Sequence, residues 1–179
     1  MIKKIIFFAC LYSFFSTVNA QIFNTSGTLK PGKFSAGFEP GVYVNGGTSP
    51  NLFLYAGAGI VNGLDFGLKL GLFENDVYFG GDIEFALGKM FSISAGSHSW
   101  GDFALDATGL ITFQLGKAVD LYTGLDMDVI FANDALIPLW IPIGIEVPLK
   151  SYMLFLFESE INVTDVGSHY IGGGLNFLF

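Results

Sequence analysis

A two-residue alternation recurs along most of the chain and confines charge to one side. From Leu64 to Phe73, apolar residues occupy every second position, whereas Asp65, Lys69 and two glycines occupy positions between them. This period matches a β-strand, whose successive side chains point to opposite faces. The pattern predicts ten strands, in segments 34–45, 51–60, 64–73, 77–88, 91–98, 103–115, 119–131, 139–147, 152–163 and 169–179.

The charges of these segments all lie on the face opposite the apolar one. They are Glu39, Asp65, Lys69, Asp82, Glu84, Asp106, Asp120, Asp126, Asp128, Glu146, Glu158 and Glu160. A soluble sheet also alternates, but its wet face carries more charge than this chain provides, since only 13% of its residues are charged. The apolar rows therefore predict contact with lipid, where a sheet has to close on itself. We expect an all-β fold, a closed antiparallel up-and-down transmembrane β-barrel.

Three prolines bear on the number of strands. Pro138, Pro142 and Pro148 fall in or beside one predicted strand, and a closed barrel has no free edge on which proline is tolerated. An eight-strand barrel, with this region and a neighbour outside the membrane, is therefore an alternative. Ten strands remain the preferred number, because the isoleucines of this segment still alternate with small or charged residues.

The first twenty residues have the features of a secretory signal peptide. Two lysines precede an apolar run that is shorter than the roughly 20 residues needed to span a bilayer, and small residues follow it. We expect cleavage between Ala20 and Gln21, which also removes Cys10, the single cysteine. The predicted organisation is a cleaved signal peptide at 1–20, a short N-terminal periplasmic segment at 21–32 and the barrel at 33–179.

The end of the chain carries a resemblance to a known group. The last strand contains Gly174, Phe177 and the terminal Phe179, which resembles the assembly signal of outer-membrane barrels, although Gly172 stands where that signal usually has a polar residue. The short alternating strands are similar to small barrels of the outer membrane protein A and opacity-protein kind. This resemblance implies a multi-pass barrel in the cell outer membrane, with membrane lipid and the outer-membrane insertion machinery as partners.

The turns separate charge by sign. With both termini in the periplasm, the lysines of the turns and the N-terminal segment lie on the periplasmic side. The acidic loop residues, which are Glu74, Asp76, Asp102, Asp134 and Asp165, lie on the outer side. A host or envelope protein that contacts these outer loops is a further expected partner.

Three aspartates form the main candidate site. If the turn after Leu115 pairs its strands symmetrically, Asp106 lies opposite Met127 and beside Asp126 and Asp128. Such neighbouring acids predict a cation-favouring patch in the lumen, with hydrated, inert carboxylates as the alternative. The other predicted lumen charges are Glu39, Lys69, Asp82, Glu84, Glu146, Glu158 and Glu160. The same counting places Lys69 opposite Asp82 as an ion pair.

Composition excludes several classes of function. The predicted mature chain has six lysines, no arginine and sixteen acidic residues, a formal charge of −10, which disfavours nucleic-acid binding. Two histidines and no mature cysteine predict no metal site, and no cofactor motif is present. A nucleophile, base and orienting acid cannot be assembled, so we expect no enzymatic activity and no catalytic residues.

Three functions remain open. The first is a structural or surface-interaction barrel, and the second is a narrow cation-favouring pore or small-molecule channel. A third and weaker hypothesis is capture of small apolar ligands, because several inward positions are aromatic. Those positions are Tyr43, Phe53, Tyr55, Phe73, Tyr78, Tyr122 and Trp140.

Overall fold

The computed structural model describes residues 27–45, 47–115 and 119–179. Within them the strands are β1 (Phe34–Val44), β2 (Thr48–Val61), β3 (Leu64–Phe73), β4 (Val77–Ala86), β5 (Phe91–Trp100), β6 (Asp102–Leu115), β7 (Val119–Phe131), β8 (Ala135–Leu136), β9 (Leu139–Lys150), β10 (Met153–Asn162) and β11 (His169–Leu178). This described part of the chain contains no helix long and apolar enough to cross a bilayer. The expected signal peptide, with Ala20 and Gln21, lies outside the described residues.

The strands form one closed antiparallel barrel. Each strand from β1 to β7 pairs with the next, β7 pairs with β9, and β9 continues through β10 and β11 back to β1. The short strand β8 is an addition that pairs with the end of β7. The predicted ten-strand up-and-down barrel is therefore confirmed, and the eight-strand alternative is wrong.

Pro142 is accommodated inside the barrel wall by an interrupted ladder. Strand β9 pairs with β7 from Glu146 to Ile143 and again from Trp140, but no pair forms at Pro142 itself on that side. The Thr123 hydroxyl on β7 instead donates a hydrogen bond of 2.8 Å to the Pro142 carbonyl oxygen. The hydroxyl thus supplies a donor to this carbonyl where the β7–β9 ladder is interrupted, and proline itself has no N–H group to pair.

The two faces of the sheet are reversed relative to those of a soluble protein. Large apolar side chains are exposed on the outside, as with Phe79, which is 59% exposed. Of the twelve charged residues on the inner face, eleven are buried and Asp120 is half-buried. Exposed apolar rows around a charged interior are the arrangement expected of a barrel that is surrounded by lipid.

The two ends of the barrel differ. We call the end with residues 74–76, 101, 132–134 and 163–168 the loop end, and the end where the barrel begins and finishes the termini end. At the termini end, Phe34 and Phe179 exchange backbone hydrogen bonds of 3.3 and 2.9 Å. The preceding segment docks there as well, because the Leu29 N–H donates a 2.7 Å hydrogen bond to Asp65 Oδ2.

Candidate functional site: the charged lumen

The three aspartates of the predicted patch lie together on β6 and β7, inside the barrel. Asp106 pairs directly with Asp128, and Asp126 pairs with Thr108, whose hydroxyl donates a 2.5 Å hydrogen bond to Asp126 Oδ1. The predicted pairing of Asp106 with Met127 is wrong by one residue. Directly opposed residues of an antiparallel pair share a face, so an inward aspartate pairs with another inward residue and not with the outward Met127.

His98 joins this patch, although sequence reasoning did not place it there. Its Nδ1 lies 3.3 Å from Asp106 Oδ2, its Nε2 lies 3.6 Å from Asp128 Oδ2, and its ring stacks on Tyr78 at 5.0 Å between centroids. The feature that could have predicted this placement is the inward position of His98 on β5, opposite Ala104 and so close to Asp106. Among the described residues, no group of three or more His, Cys, Asp or Glu side chains is placed to hold a metal ion. The imidazole is thus a polar bridge between two buried carboxylates.

A further buried carboxylate is held by a tyrosine that reaches over the one strand between them. The Tyr122 hydroxyl donates a 2.6 Å hydrogen bond to Glu158 Oε2. The ring lies over Gly144, where an added Cβ would be 2.1 Å from Tyr122 Cζ. Because any side chain at this position would displace the ring, the glycine is what allows Tyr122 to reach Glu158.

Tyr170 likewise lies over a glycine, in this case one on its own strand. Its hydroxyl and Glu39 Oε1 both lie over Gly172, at 2.0 and 2.2 Å from the place of an added Cβ. Glu160 pairs with Tyr170 from β10, so a second carboxylate lies beside this ring. Glycines that face the lumen therefore provide the space that tyrosine rings and carboxylates occupy.

Lys69 does not pair with Asp82 as predicted. It lies opposite Gly80, two residues away from the expected partner, because the turn closes between Phe73 and Asp76, where the Phe73 N–H donates to the Asp76 carbonyl oxygen. Pairing with Asp82 would need a turn two residues longer. Lys69 Nζ has no hydrogen-bond partner among the described residues. Its attractive electrostatic interactions are with Glu39, Asp126, Asp128 and Glu160.

Aromatic rings fill the lumen toward the loop end, and we call this group the aromatic plug. Its members are Tyr43, Phe53, Phe73, Tyr78, Trp100 and Tyr170, with Leu156 packed among them. Phe73 stacks on Trp100 at 4.0 Å between ring centroids, and Tyr43 contacts Tyr170 at 5.0 Å. These seven side chains come from seven different strands, so they meet across the lumen and do not line one wall.

A smaller apolar cluster completes the plug on the other strands. Trp140 of β9 packs with Ala104 of β6 and Ile130 of β7, and its indole N–H donates a 2.9 Å hydrogen bond to the Ser168 carbonyl oxygen. The aromatic plug and this cluster together draw side chains from all ten barrel strands. Toward the loop end the lumen is therefore filled.

At the termini end the lumen widens into a cavity of about 1360 Å³. Its buried wall carries the acidic residues Asp65, Asp82, Glu84 and Glu146, with Lys69 beside them. Its mouth is lined by the exposed lysines Lys30, Lys33 and Lys89. The cavity is thus acidic inside and basic at its mouth.

The three residues of the predicted assembly signal lie on and just after the last strand. Gly174 faces the backbone of β1, where an added Cβ would be 2.0 Å from the Phe38 carbonyl oxygen. Phe177 pairs with Ala36, and Phe179 is exposed at the end of the chain. All three contribute to the β1–β11 seam that closes the barrel, and their recognition by the insertion machinery stays a prediction.

Comparison with known proteins supports the fold and gives no information about function. No protein-family model matches the chain, and a search of curated proteins found no match. The translocator domain of the autotransporter NalP from Neisseria meningitidis aligns with a TM-score of 0.54 at 9% identity, over 87% of this chain and 90% of that one. This similarity is to a barrel of the same general architecture.

Two further solved structures are similar at lower scores. The N-terminal β-barrel domain of OprF from Pseudomonas aeruginosa has a TM-score of 0.45 at 11% identity, over 84% of this chain and 100% of that one. A de novo designed transmembrane β-barrel has a TM-score of 0.48 at 11% identity, over 85% of this chain and 99% of that one.

Proposed function

We propose that this chain is an integral outer-membrane barrel with a structural or surface-interaction role, and that it does not conduct solutes. The exposed apolar rows support the membrane setting, because each outward Leu, Ile, Val or Phe is stabilised by lipid and would be unfavourable in water. The export signal expected at residues 1–20 and the terminal Phe179 agree with an outer-membrane destination.

The aromatic plug is the observation that carries the second half of this proposal. Tyr43, Phe53 and Tyr170 are all buried, and Tyr43 of β1 contacts Trp100 of β5 across the lumen at 5.5 Å between ring centroids. A water-filled pore needs a continuous polar passage, as in larger barrels. The filled cross-section therefore favours a closed barrel over a channel.

The two alternatives fit the interior less well. A cation-favouring pore would use Asp126 and Asp128, but both are fully buried and lie against Thr108 and His98. Capture of a small apolar ligand does not suit the cavity at the termini end, because its wall includes buried carboxylates, which an apolar ligand would leave without partners. A host or envelope protein remains the partner class that a surface role requires, and the short loops limit its contact area.

Planar-bilayer recording tests the closed lumen. We expect the wild-type barrel to give no conductance steps, and the Tyr43→Ala, Tyr170→Ala double variant to give discrete steps, since two rings of the plug are removed. Phe79→Ala, which removes a ring from the lipid face, is the matched control and should stay silent. Heat-dependent mobility on a gel shows that each protein is folded.

Conductance steps from the wild type would refute the closed barrel and would favour the narrow-pore hypothesis instead. Asp126→Asn and Asp128→Asn would then separate the two accounts of the acidic patch. A loss of cation selectivity in these variants would support a cation-favouring pore, whereas unchanged selectivity would leave the carboxylates as inert lumen residues.

A further inference from the structure

The cavity at the termini end is large enough to hold an organic molecule. Its volume of about 1360 Å³ exceeds the roughly 300–1,000 Å³ of ordinary small-molecule pockets. The aromatic plug lies on its inner side, so a ligand enters and leaves between the turns of the termini end. Within the described residues, the cavity, which we call the cup, therefore opens at the termini end.

The wall of this cup concentrates negative charge. Glu84 interacts electrostatically with Asp65, Asp82 and Glu146, and Asp120 also lines the cavity, so five carboxylates share the space. Asp65 already accepts a hydrogen bond from the Leu29 N–H. In contrast, Asp82 Oδ1 and Glu84 Oε1 have no hydrogen-bond partner among the described residues, although the two residues are only 8% and 5% exposed; Ser92 hydrogen-bonds the Glu84 side chain but leaves Oε1 without a donor. Buried carboxylate oxygens without donors are unfavourable, so this wall suits a cationic donor.

The nearest lysine does not neutralise the wall. Lys69 interacts with the carboxylates above the cavity, on β1, β7 and β10. No hydrogen bond joins its Nζ to Asp82 or Glu84. An ammonium group from a ligand, with three N–H donors, supplies what the wall lacks.

The mouth of the cup has the opposite charge. Lys30, Lys33 and Lys89 are exposed around it, so a ligand with ammonium groups at both ends is attracted by the wall and repelled at the mouth. A molecule with an amine at one end and a carboxylate at the other matches both the acidic wall and the basic mouth. We infer that the cavity binds a zwitterionic ligand of short-peptide size, with its amino group at the wall near Asp82 and Glu84 and its carboxylate at the lysines of the mouth.

Three forms of one tripeptide test this assignment. Isothermal titration of the folded mature barrel in detergent with trialanine should give saturable binding. N-acetyl-trialanine, which lacks the cationic end, and trialanine amide, which lacks the anionic end, should each bind about tenfold more weakly, because each loses a charge-assisted hydrogen bond.

Variants of the two ends assign each charge to its partner. Glu84→Gln should weaken trialanine about tenfold and leave N-acetyl-trialanine unchanged, whereas Lys89→Gln should weaken trialanine and leave the amide unchanged. Glu74→Gln at the loop end and Lys150→Gln outside the cavity are the matched controls and should bind as the wild type does. Heat-dependent gel mobility confirms that each variant is folded.

Two results would overturn the inference. One is the absence of saturable binding by trialanine. The other is an equal loss in the control variants, which would indicate diffuse attraction to a charged protein. Neither result bears on the closed lumen, because conductance is measured independently of peptide binding.

Discussion

Replacing Gly144 with alanine puts a methyl group against the ring of Tyr122. The new Cβ would lie 2.1 Å from Tyr122 Cζ, whereas ordinary contacts begin at 3.4 Å, so the ring has to move by about 1.3 Å. The 2.6 Å hydrogen bond to Glu158 cannot survive such a shift. Losing a hydrogen bond to a charged group costs about 1.5–3 kcal/mol. Overpacking adds about 1–3 kcal/mol. We therefore expect a loss of about 2.5–6 kcal/mol in the free energy of unfolding.

Urea titration in phospholipid vesicles, with the folded fraction read from gel mobility, measures this loss. Gly109→Ala is the matched control, because an added Cβ there meets nothing within 4 Å. In a Tyr122→Leu background the ring is gone, so Gly144→Ala should then cost much less than it does alone. The reasoning is refuted if Gly144→Ala is no less stable than Gly109→Ala, or if its cost is the same in both backgrounds.

Two further sets of variants test the electrostatics of the barrel by the same titration. His98→Phe should cost about 1–3 kcal/mol, because Asp106 and Asp128 lose their shared imidazole. Adding Asp128→Asn should recover part of that loss by removing like-charge repulsion, and no recovery would contradict the bridging role of His98. Ile83→Lys, on the lipid face near the middle of β4, should cost about 2–4 kcal/mol, and Leu87→Lys, just beyond the end of β4, at most about 1 kcal/mol. Equal costs at these two positions would contradict the placement of the bilayer.

The sequence predicts the strands well because one physical rule acts on every residue of the wall. Lipid outside and a charged interior impose a period of two, so each predicted segment lies within a few residues of an observed strand. Even Pro142 does not end its strand, since the isoleucines around it keep the alternation and Thr123 supplies a hydrogen bond. Because this local pattern repeats around the closed barrel, the position and face of each strand depend little on long-range packing.

The details of the lumen depend on information that a single strand does not contain. Whether Lys69 lies opposite Gly80 or Asp82 is set by the length of one turn, and a change of two residues keeps the face but changes the partner. The parity of opposed residues was available from the sequence and would have excluded the outward Met127 as the partner of Asp106, although it does not choose between Asp126 and Asp128. The division into plug and cavity follows from ring sizes meeting across seven strands, which no pairwise count of neighbours provides.

Fluorescence quenching by brominated acyl chains tests most directly whether lipid covers the outer face. Both tryptophans lie inside the barrel, because Trp100 stacks on Phe73 in the plug and Trp140 is fully buried. We expect the wild-type emission in brominated vesicles to stay close to its value in ordinary vesicles, and Phe79→Trp, on the outer face, to add emission that is strongly quenched. Strong quenching of the wild type, or an unquenched tryptophan at position 79, would contradict the inside-out barrel.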